Sequence, residues 1–510
     1  MKFYIETVGC QMNVLDSELA AAELTAAGWT RADSRKEASL IVFNTCSVRE
    51  RAEEKIYSAL GRLKHWKSQK PDALIVLMGC VAQKDRERVF RRAPFVDVVC
   101  GPGQIDQLAT LVAKAAATRE PQIAVSVDRF VHRDDPNATR ESFRLYDPKR
   151  VKELRPRAFQ AMVRIMFGCN KFCSYCIVPS VRGPEQSRAP KDILNEIQTL
   201  ADQGVVEVVL LGQTVNSYRY VDGGKTTRLA DLLAMIDKIN GIRRVRFVSS
   251  YPTDMTDELL YAVRDLPSST PYLHVPAQHG ADSVLKRMRR HYTAQEYKDL
   301  VDRIYSIIPN AAITSDFIVG FCGETEEEFQ QTVDLVRYAR FKNSFIFKYS
   351  ERPGNEAART MKDDVPEEVK KRRNNELLDV QNKTSLEQSL SFVGKTVEIL
   401  VEGPSKRESK SSVVEDALYE ERLPDGVATD SSGNVVRLPD ANEGVTSVDE
   451  LLAASNPNAF IDASESIQMT GRTIDDRIVV FDGARSLAGE FKKIEIVSAT
   501  PFTLIGKLAD

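Results

Sequence analysis

Three cysteines in the segment GCNKFCSYC, at Cys169, Cys173 and Cys176, have a spacing that suits a metal cluster. They lie on one loop directly after a predicted strand. Three thiolates so placed can hold three irons of a [4Fe–4S] cube and leave the fourth iron open to a small molecule. A structural zinc site would need four closed ligands, and no nearby His or fourth Cys supplies one. The spacing therefore predicts an iron–sulfur cluster.

Three further cysteines, Cys10, Cys46 and Cys80, each follow a predicted strand, in TVGC, FNTC and LMGC. They are far apart in sequence, but the carboxyl ends of parallel strands meet at one edge of a sheet, where ligands bind. They either hold a second cluster or are small buried residues, as free cysteines usually are. Cys100 also ends a predicted strand, and it is either a fourth candidate ligand or a cysteine without a role in metal binding.

The elements that would position the second triad come from the first 118 residues. Short apolar runs rich in β-branched residues alternate with helical patterns, which predicts a doubly wound α/β domain. The predicted strands are Phe3–Val8, Ser39–Phe43, Ala73–Met78 and Val96–Val99, and the helices include Asp16–Ala27 and Val48–Lys64. Residues 119–157 are polar, basic and interrupted by proline, which predicts a linker.

Residues 158–391 repeat the alternation six times, which predicts a partial (β/α)6 barrel with its site at the carboxyl ends of the strands. The predicted strands are Ala161–Phe167, Val206–Leu211, Val245–Ser250, Pro271–Val275, Ile313–Gly320 and Asn343–Tyr349, and the helices include Lys191–Gln203, Thr325–Arg340 and Pro366–Leu390. Residues 392–510 predict a small β-barrel. Its strands are Lys395–Val401, Arg477–Phe481, Phe491–Ser498 and Thr503–Lys507, with an acidic insertion at about residues 410–467.

The charge of the chain is unevenly distributed. The 510 residues carry a net charge of −3, yet residues 413–467 contain 12 acidic and two basic residues, so the remainder is mildly basic. No apolar run is long enough to cross a membrane, and the first residues do not resemble a signal peptide. We therefore expect a cytoplasmic protein without a membrane partner, whose eight cysteines stay reduced. Five His and no HExxH motif give zinc hydrolase chemistry little support.

Several motifs resemble the methylthiotransferase family of radical S-adenosylmethionine (SAM) enzymes. ETVGCQMN, NTCSVRE and MGCVAQ resemble the N-terminal domain of that family. GCNKFCSYCIVPSVRGPEQSR, LLGQTVNSY and YLHVPAQHG resemble its radical SAM core, and GKTVEILVEGPSKR with MTGRTIDDRIVVF resembles its TRAM domain. The motifs cover nearly the whole chain in the family's order. The acidic insertion splits the TRAM region.

The resemblance implies two [4Fe–4S] clusters and SAM as cofactors. It assigns the second cluster to Cys10, Cys46 and Cys80, and not to Cys100. At the other cluster, SAM would chelate the open iron and be cleaved to methionine and a 5′-deoxyadenosyl radical. GCQMN and EGPSKR resemble the branch that converts N6-isopentenyladenosine at position 37 of tRNA to its 2-methylthio derivative. Since the C2–H bond of adenine is not activated, the cofactor must supply the difficult step and the second cluster the sulfur.

Five polar residues would project near the barrel mouth, where we expect some of them to bind SAM or the base: Gln213, Asn216, His274, Gln278 and Asp316. They are alternatively polar residues that cap loops. Arg182, Glu185 and Arg188 follow the first triad and are further candidates for SAM contacts. Five basic residues of the C-terminal domain are candidates for phosphate contacts with the anticodon loop: Lys406, Arg407, Lys410, Arg472 and Arg477. The alternative is ordinary solvated charge.

Two residues depart from the family pattern, namely Cys322 in place of Pro and Tyr251 in place of His, and both departures leave the cysteine triads intact. Two rival substrates belong to the same family: threonylcarbamoyl-adenosine in tRNA and an aspartate of a ribosomal protein. A rival from another class is an RNA-binding metal module without catalysis. The family resemblance further implies a low-potential electron donor such as flavodoxin or ferredoxin. With no coiled coil in the sequence, we expect a monomer.

Overall fold

A computed structural model describes residues 1–47, 50–126, 150–405, 427–429, 435–437 and 466–509. It forms two compact units. The first contains Met1–Ser391 with the short segments Ile474–Arg477 and Thr500–Phe502, and the second contains the rest of the C-terminal region. Within the described ranges, no helix is both long and apolar enough to cross a bilayer.

The N-terminal domain is built on a six-stranded parallel sheet with strand order β2-β1-β3-β4-β5-β6. Its elements are β1 (Lys2–Val8), α1 (Gln11–Ala26), β2 (Thr30–Arg31), β3 (Leu40–Thr45), α2 (Glu50–Gln69), β4 (Leu74–Gly79), α3 (Cys80–Asp85), α4 (Arg88–Arg92), β5 (Val98–Cys100), α5 (Leu108–Thr118) and β6 (Gln122–Ala124). Along β3, Leu40 and Val42 pack towards α1 and α5, whereas Ile41 and Phe43 pack towards α2. Both faces are covered, which confirms the doubly wound α/β architecture.

The region predicted as a linker contains structure at both of its ends. Residues Gln122–Ala124 form β6, which pairs in parallel with β5, and three residues are too few to show a period in the sequence. Leu154 is buried in the same hydrophobic cluster as α1. The middle of this region, 127–149, lies outside the described residues.

The central domain has the six parallel strands expected of a partial barrel, in two groups with orders β13-β10-β7 and β14-β15-β16. Its elements are β7 (Gln160–Arg164), β8 (Met166–Phe167), α6 (Val178–Arg182), β9 (Gln186–Ser187), α7 (Pro190–Asp202), β10 (Glu207–Leu211), β11 (Arg219–Asp222), β12 (Lys225–Arg228), α8 (Leu229–Ile236), β13 (Arg244–Phe247), α9 (Asp257–Asp265), β14 (Tyr272–His274), α10 (Asp282–Arg287), α11 (Ala294–Ile307), β15 (Ala312–Val319), α12 (Glu326–Ala339), β16 (Asn343–Lys348), α13 (Glu356–Thr360) and α14 (Glu367–Leu390). Thr293 and Thr325 begin α11 and α12 with capping boxes, which satisfy amide groups that the first turn leaves unpaired.

The N-terminal and central domains share a hydrophobic core. Val208 and Leu210 of β10 pack against the helices of the central domain. The alternate residues Val209 and Leu211 pack in one cluster with α1 of the N-terminal domain. Because successive side chains of a strand point to opposite faces, β10 is buried between the two domains. This packing fixes the N-terminal sheet against the barrel.

The C-terminal unit is a closed five-stranded barrel with strand order β17-β20-β21-β23-β22. Its elements are β17 (Thr396–Pro404), β18 (Val427–Thr429), β19 (Val435–Arg437), β20 (Ser466–Thr473), β21 (Ile478–Ala484), β22 (Phe491–Ala499) and β23 (Thr503–Leu508). The sequence did not predict β20, because this strand begins where the acidic segment ends. Most of the acidic insertion lies outside the described residues, and its described parts, β18 and β19, pair with each other.

Candidate active site

The structure brings Cys10, Cys46 and Cys80 together at one edge of the N-terminal sheet. They follow β1, β3 and β4, which are neighbours in the sheet. The side chains of Cys10 and Cys46 are hydrogen-bonded, and Cys80 is close enough for the charge of Cys10 to act on it. Cys46 and Cys80 are buried. Three thiols on three adjacent strand ends form a donor set that fits an iron–sulfur cluster.

Cys100 does not belong to this group. It is the last residue of β5, fully buried in the core beside α1 and α5, and its thiol donates to the carbonyl of Gln104 at 3.2 Å. Burial raises the pKa of this thiol. The position of Cys100 therefore favours a packing role over metal binding.

Two buried asparagines fix the loops that carry Cys10 and Cys46. Asn13 Oδ1 accepts from the Cys10 amide at 3.3 Å, and Asn13 Nδ2 donates to Asn44 Oδ1 at 3.0 Å. Asn44 Nδ2 in turn donates to the Asn13 carbonyl at 2.7 Å. Both side chains are fully buried. The final residue of GCQMN and the first of NTC thus hold the cysteine loops in register, a role that the sequence reasoning missed.

The backbone at Gly79, directly before Cys80, adopts a conformation that requires glycine. Its φ is +93°, and a Cβ atom here would collide with the carbonyl oxygen of Thr45 on the neighbouring strand. Any other residue would be strained and would push β3 and β4 apart at the point where Cys46 and Cys80 leave the sheet.

The environment sets the protonation of the N-terminal thiols. The pKa of Cys10 is lowered to about 6, chiefly by the hydrogen bond with Cys46 and further by the positive charge of Arg182. Burial raises the pKa of Cys80, and Arg182 opposes that effect. Because iron binds thiolates, a cation beside two of the three thiols favours the form that an iron–sulfur cluster would need.

The first triad, Cys169, Cys173 and Cys176, lies on the loop after β8. The loop begins at Gly168, which has a φ of +67° and no room for a Cβ atom beside the carbonyl oxygen of Pro184. Backbone amides of Lys171 and Val178 donate to the sulfurs of Cys169 and Cys176 at 3.5 and 3.4 Å. Such N–H···S bonds are among the features that tune iron–sulfur clusters.

Arg290 is a further donor to this triad. It is buried, and its Nη1 lies 3.4 Å from the sulfur of Cys173. The carbonyl of Pro276 and the hydroxyl of Tyr292 accept its other hydrogen bonds, each at 2.9 Å. Burial raises the pKa of Cys169 to about 11 and that of Cys176 to about 12, so a bound cluster would have to displace the protons of these thiols. The three thiols with these donors fit a cluster.

The polar residues predicted at the barrel mouth fall into two groups. His274 Nε2 and Asp316 Oδ2 lie 3.5 Å apart, and Thr314 bonds the other ring nitrogen of His274 at 3.0 Å. Gln278 has a φ of +69°, and its backbone N–H donates to the backbone carbonyl of Asp316 at 2.8 Å. The structure thus brings His274, Gln278 and Asp316 together. Their contacts with a cofactor or a base stay a prediction.

Gln213 and Asn216 occupy the loop after β10. Gln213 Oε1 is buried and has no hydrogen-bond partner among the described residues, which leaves it available to a ligand. Both amide atoms of Asn216 are bonded to the backbone of Tyr251, at 2.7 and 2.8 Å. This geometry favours a positioning role for Asn216 over the ligand contact that the sequence predicted.

The sequence analysis named Glu185 and Arg188 near the first triad as further candidates for SAM contacts. It did not predict a role for Lys171. Lys171 pairs with Asp254 at 2.5 Å and lies over the ring of Tyr251. Glu185 accepts from Thr214 at 3.2 Å, and burial raises its pKa. Arg188 donates to the carboxylate of Glu196 at 2.6 Å and to the carbonyl of Arg164 at 2.7 Å, and neither acceptor is a cysteine. Cys322 packs among apolar side chains.

Non-glycine residues with positive φ cluster at this end of the barrel. Phe172 lies in the cysteine loop, Ser249 follows β13 and Gln278 follows β14. Such conformations are uncommon and gather at functional sites, where the surrounding structure must hold them. No residue type in the sequence signals them.

One short helix contacts both triads. Helix α6 begins two residues after Cys176, and Ile177 and Val181 pack against Cys80 of the N-terminal domain. At its end, Arg182 donates to Asp16 of α1 at 2.9 Å. The two cysteine groups therefore belong to one continuous site between the N-terminal sheet and the barrel.

The predicted phosphate contacts lie in the C-terminal region. Lys406, Arg407 and Lys410 lie outside the described residues. Arg472 is half-buried and donates to Glu402 at 3.1 Å. Arg477 is buried and donates to Asp475 at 2.8 Å, so little of its side chain is presented to a phosphate.

Comparisons with known proteins agree with this organisation. The model of the uncharacterised protein family UPF0004 matches residues 2–101, that of the radical SAM superfamily residues 163–336, and that of the TRAM domain residues 462–509.

Named relatives and a solved structure extend the likeness. The chain is 48% identical to a tRNA-2-methylthio-N(6)-dimethylallyladenosine synthase of Rhodopirellula baltica, over 99% of this chain and 95% of the relative. It is 44% identical to one from Acidothermus cellulolyticus, over 86% of this chain and 85% of the relative. A solved radical SAM methyltransferase, TsrM from Kitasatospora setae, matches with a TM-score of 0.50 and 15% identity over 70% of this chain and 74% of that one. At that identity the likeness concerns the fold alone.

Proposed function

Because the chain belongs to the family of tRNA-2-methylthio-N(6)-dimethylallyladenosine synthases, we propose that it adds a methylthio group to C2 of N6-isopentenyladenosine at position 37 of tRNA. It is a radical SAM enzyme and a tRNA methylthiotransferase, with [4Fe–4S] and SAM as cofactors. The proposal assigns one cluster to Cys169, Cys173 and Cys176. It assigns the other to the N-terminal group.

The observation that carries the proposal is the meeting of two cysteine triads in one site. Sulfur insertion needs a radical source and a sulfur source close to the same carbon atom, because reacting groups must be held in near-attack positions. Helix α6 connects them, since it follows Cys176 directly and packs against Cys80. A structural metal site has a full set of protein ligands, whereas each of these triads would leave one iron without a protein ligand.

When bound, the cofactors supply a carbon-centred radical at one triad and sulfur at the other. The residues of the chain have simpler tasks. Arg290 and the amides of Lys171 and Val178 orient the first triad. Asn13 and Asn44 hold the loops of the second. The shared core excludes water from the region between the N-terminal sheet and β10.

The target base lies in the anticodon loop and must leave its stack to reach the barrel. The TRAM domain is the part of the chain that we assign to gripping tRNA, through Lys406, Arg407, Lys410 and Arg472. We further propose a low-potential flavodoxin or ferredoxin as electron donor, a monomeric enzyme, and a cytoplasmic location where tRNA is present.

Mass spectrometry of tRNA nucleosides tests the proposal. A strain without the gene should lose 2-methylthio-isopentenyladenosine and accumulate isopentenyladenosine. Wild-type and Cys100→Ala genes should restore the product, and Cys46→Ala should not. Loss of the methylthio derivative of threonylcarbamoyl-adenosine, or of the modified ribosomal aspartate, would favour the rival substrates. Unchanged nucleosides and protein would favour a binding module.

A further inference from the structure

A buried network of charges joins the N-terminal domain to the central domain beside the second triad. The ion pairs connect Asp16 with Arg164 and Arg182, Glu18 with Arg150, and Glu196 with Arg150 and Arg188. All seven side chains are buried. Within this network, four arginines face three carboxylates, so one positive charge is left without a carboxylate.

Arg182 is the member that lies beside the cysteines. Its Nη2 donates to Asp16 Oδ2 at 2.9 Å, while Asp16 Oδ1 accepts from Arg164 at the same distance. Its Nη1 is buried and has no acceptor in standard hydrogen-bond geometry among the described residues. Val181, the residue before Arg182, packs in one cluster with Cys80, and the positive charge of Arg182 acts on the thiols of Cys80 and Cys10. The excess charge of the network is therefore located at the cluster site.

An uncompensated buried cation is costly, and proteins retain one where an anion completes the pair. Three thiolates that hold an iron–sulfur cube make the site anionic, and reduction of the cube adds a further negative charge. Hydrogen bonds and charges near the sulfurs are the means by which a protein sets the potential of such a cluster. A guanidinium that lies beside the thiols of Cys80 and Cys10 fits both requirements.

We propose that Arg182, which the radical SAM core supplies, is a positioning residue of the N-terminal cluster. It neutralises thiolate charge and raises the reduction potential of that cluster, and Asp16 holds it in place. The site for the N-terminal cluster is then complete only when the N-terminal domain is docked on the core, because Arg182 is contributed by helix α6, which follows the loop of the other triad. This inference rests on the proposed function, since it presupposes a cluster at Cys10, Cys46 and Cys80.

The test uses the full-length chain with Cys169, Cys173 and Cys176 replaced by Ala, so that only the N-terminal cluster forms. After anaerobic reconstitution, the reduction potential is measured by titration followed with electron paramagnetic resonance. Arg182→Met should make reduction at least tenfold less favourable, a shift of about 59 mV to lower potential for one electron. Arg182→Lys keeps the charge and should shift the potential by less than this.

Arg164→Met is the matched control. It removes an equally buried arginine bonded to the same carboxylate, but the proposal places no charge of Arg164 at the thiols. An unchanged potential in Arg182→Met, or an equal shift in Arg164→Met, would overturn the inference. If Arg182→Met fails to fold, Arg182→Lys decides, because a shift as large as tenfold in a variant that keeps the charge would also contradict it. If no cluster forms in the background chain, the proposed function fails instead.

Discussion

Asp16→Asn gives a direct test of the interface that joins the two domains. The Asp16 carboxylate is fully buried and accepts from Arg164 and Arg182, each at 2.9 Å. Asparagine keeps the shape but removes the charge, so two buried guanidinium groups lose their counter-charge. Breaking one buried ion pair costs about 3–5 kcal/mol. We therefore expect the free energy of unfolding of the N-terminal domain to fall by about that amount.

Tryptophan fluorescence during urea unfolding measures this loss. The chain has two tryptophans, Trp29 and Trp66, and both pack in the N-terminal domain. Asp72→Asn is the matched control in the same domain, since Asp72 pairs with Arg119 at 2.5 Å but its side chain is 89% exposed. An exposed pair contributes at most about 1 kcal/mol. Equal unfolding midpoints for the two variants would refute the reasoning.

Three further results are expected. Cys46→Ala should abolish methylthio transfer but leave reductive cleavage of SAM measurable by chromatography of 5′-deoxyadenosine, because the other triad is intact; full product formation would exclude Cys46 as a ligand. Gly79→Ala should lower the iron content of the reconstituted protein to about half, since its φ of +93° and the nearby Thr45 carbonyl leave no room for a methyl group; normal iron content would contradict this. Alkylation of Cys10 in the metal-free chain should slow about tenfold per pH unit below pH 6, because its pKa is lowered to about 6 and only the thiolate reacts; peptide mass spectrometry that places the midpoint near pH 9 would contradict it.

The sequence predicted the six strands of the barrel and the four central strands of the N-terminal sheet. Strands β3 and β4 are buried on both faces, so they read as continuous apolar runs, with six buried residues each. It did not predict the pair of Asp16 and Arg182, which lie 166 residues apart, or that of Asn13 and Asn44. Polar residues carry no period that identifies their partners, and only the folded chain places them.

The two cysteine triads also differ in how far the sequence alone predicts them. Cys169, Cys173 and Cys176 share one loop, so their spacing alone predicts a cluster. Cys10, Cys46 and Cys80 depend on the strand order β1-β3-β4, which spacing does not encode. The family resemblance selected these three over Cys100, whose thiol packs among the side chains of α1 and α5 and donates to the carbonyl of Gln104.

Metal analysis after anaerobic reconstitution tests the two-cluster assignment most directly. The account predicts about eight irons and eight sulfides per chain, and about four of each when either triad is replaced by alanine. With both triads replaced, iron should be lost. A wild-type chain that holds four irons or one zinc, or a chain that keeps eight irons without Cys10, Cys46 and Cys80, would contradict the account.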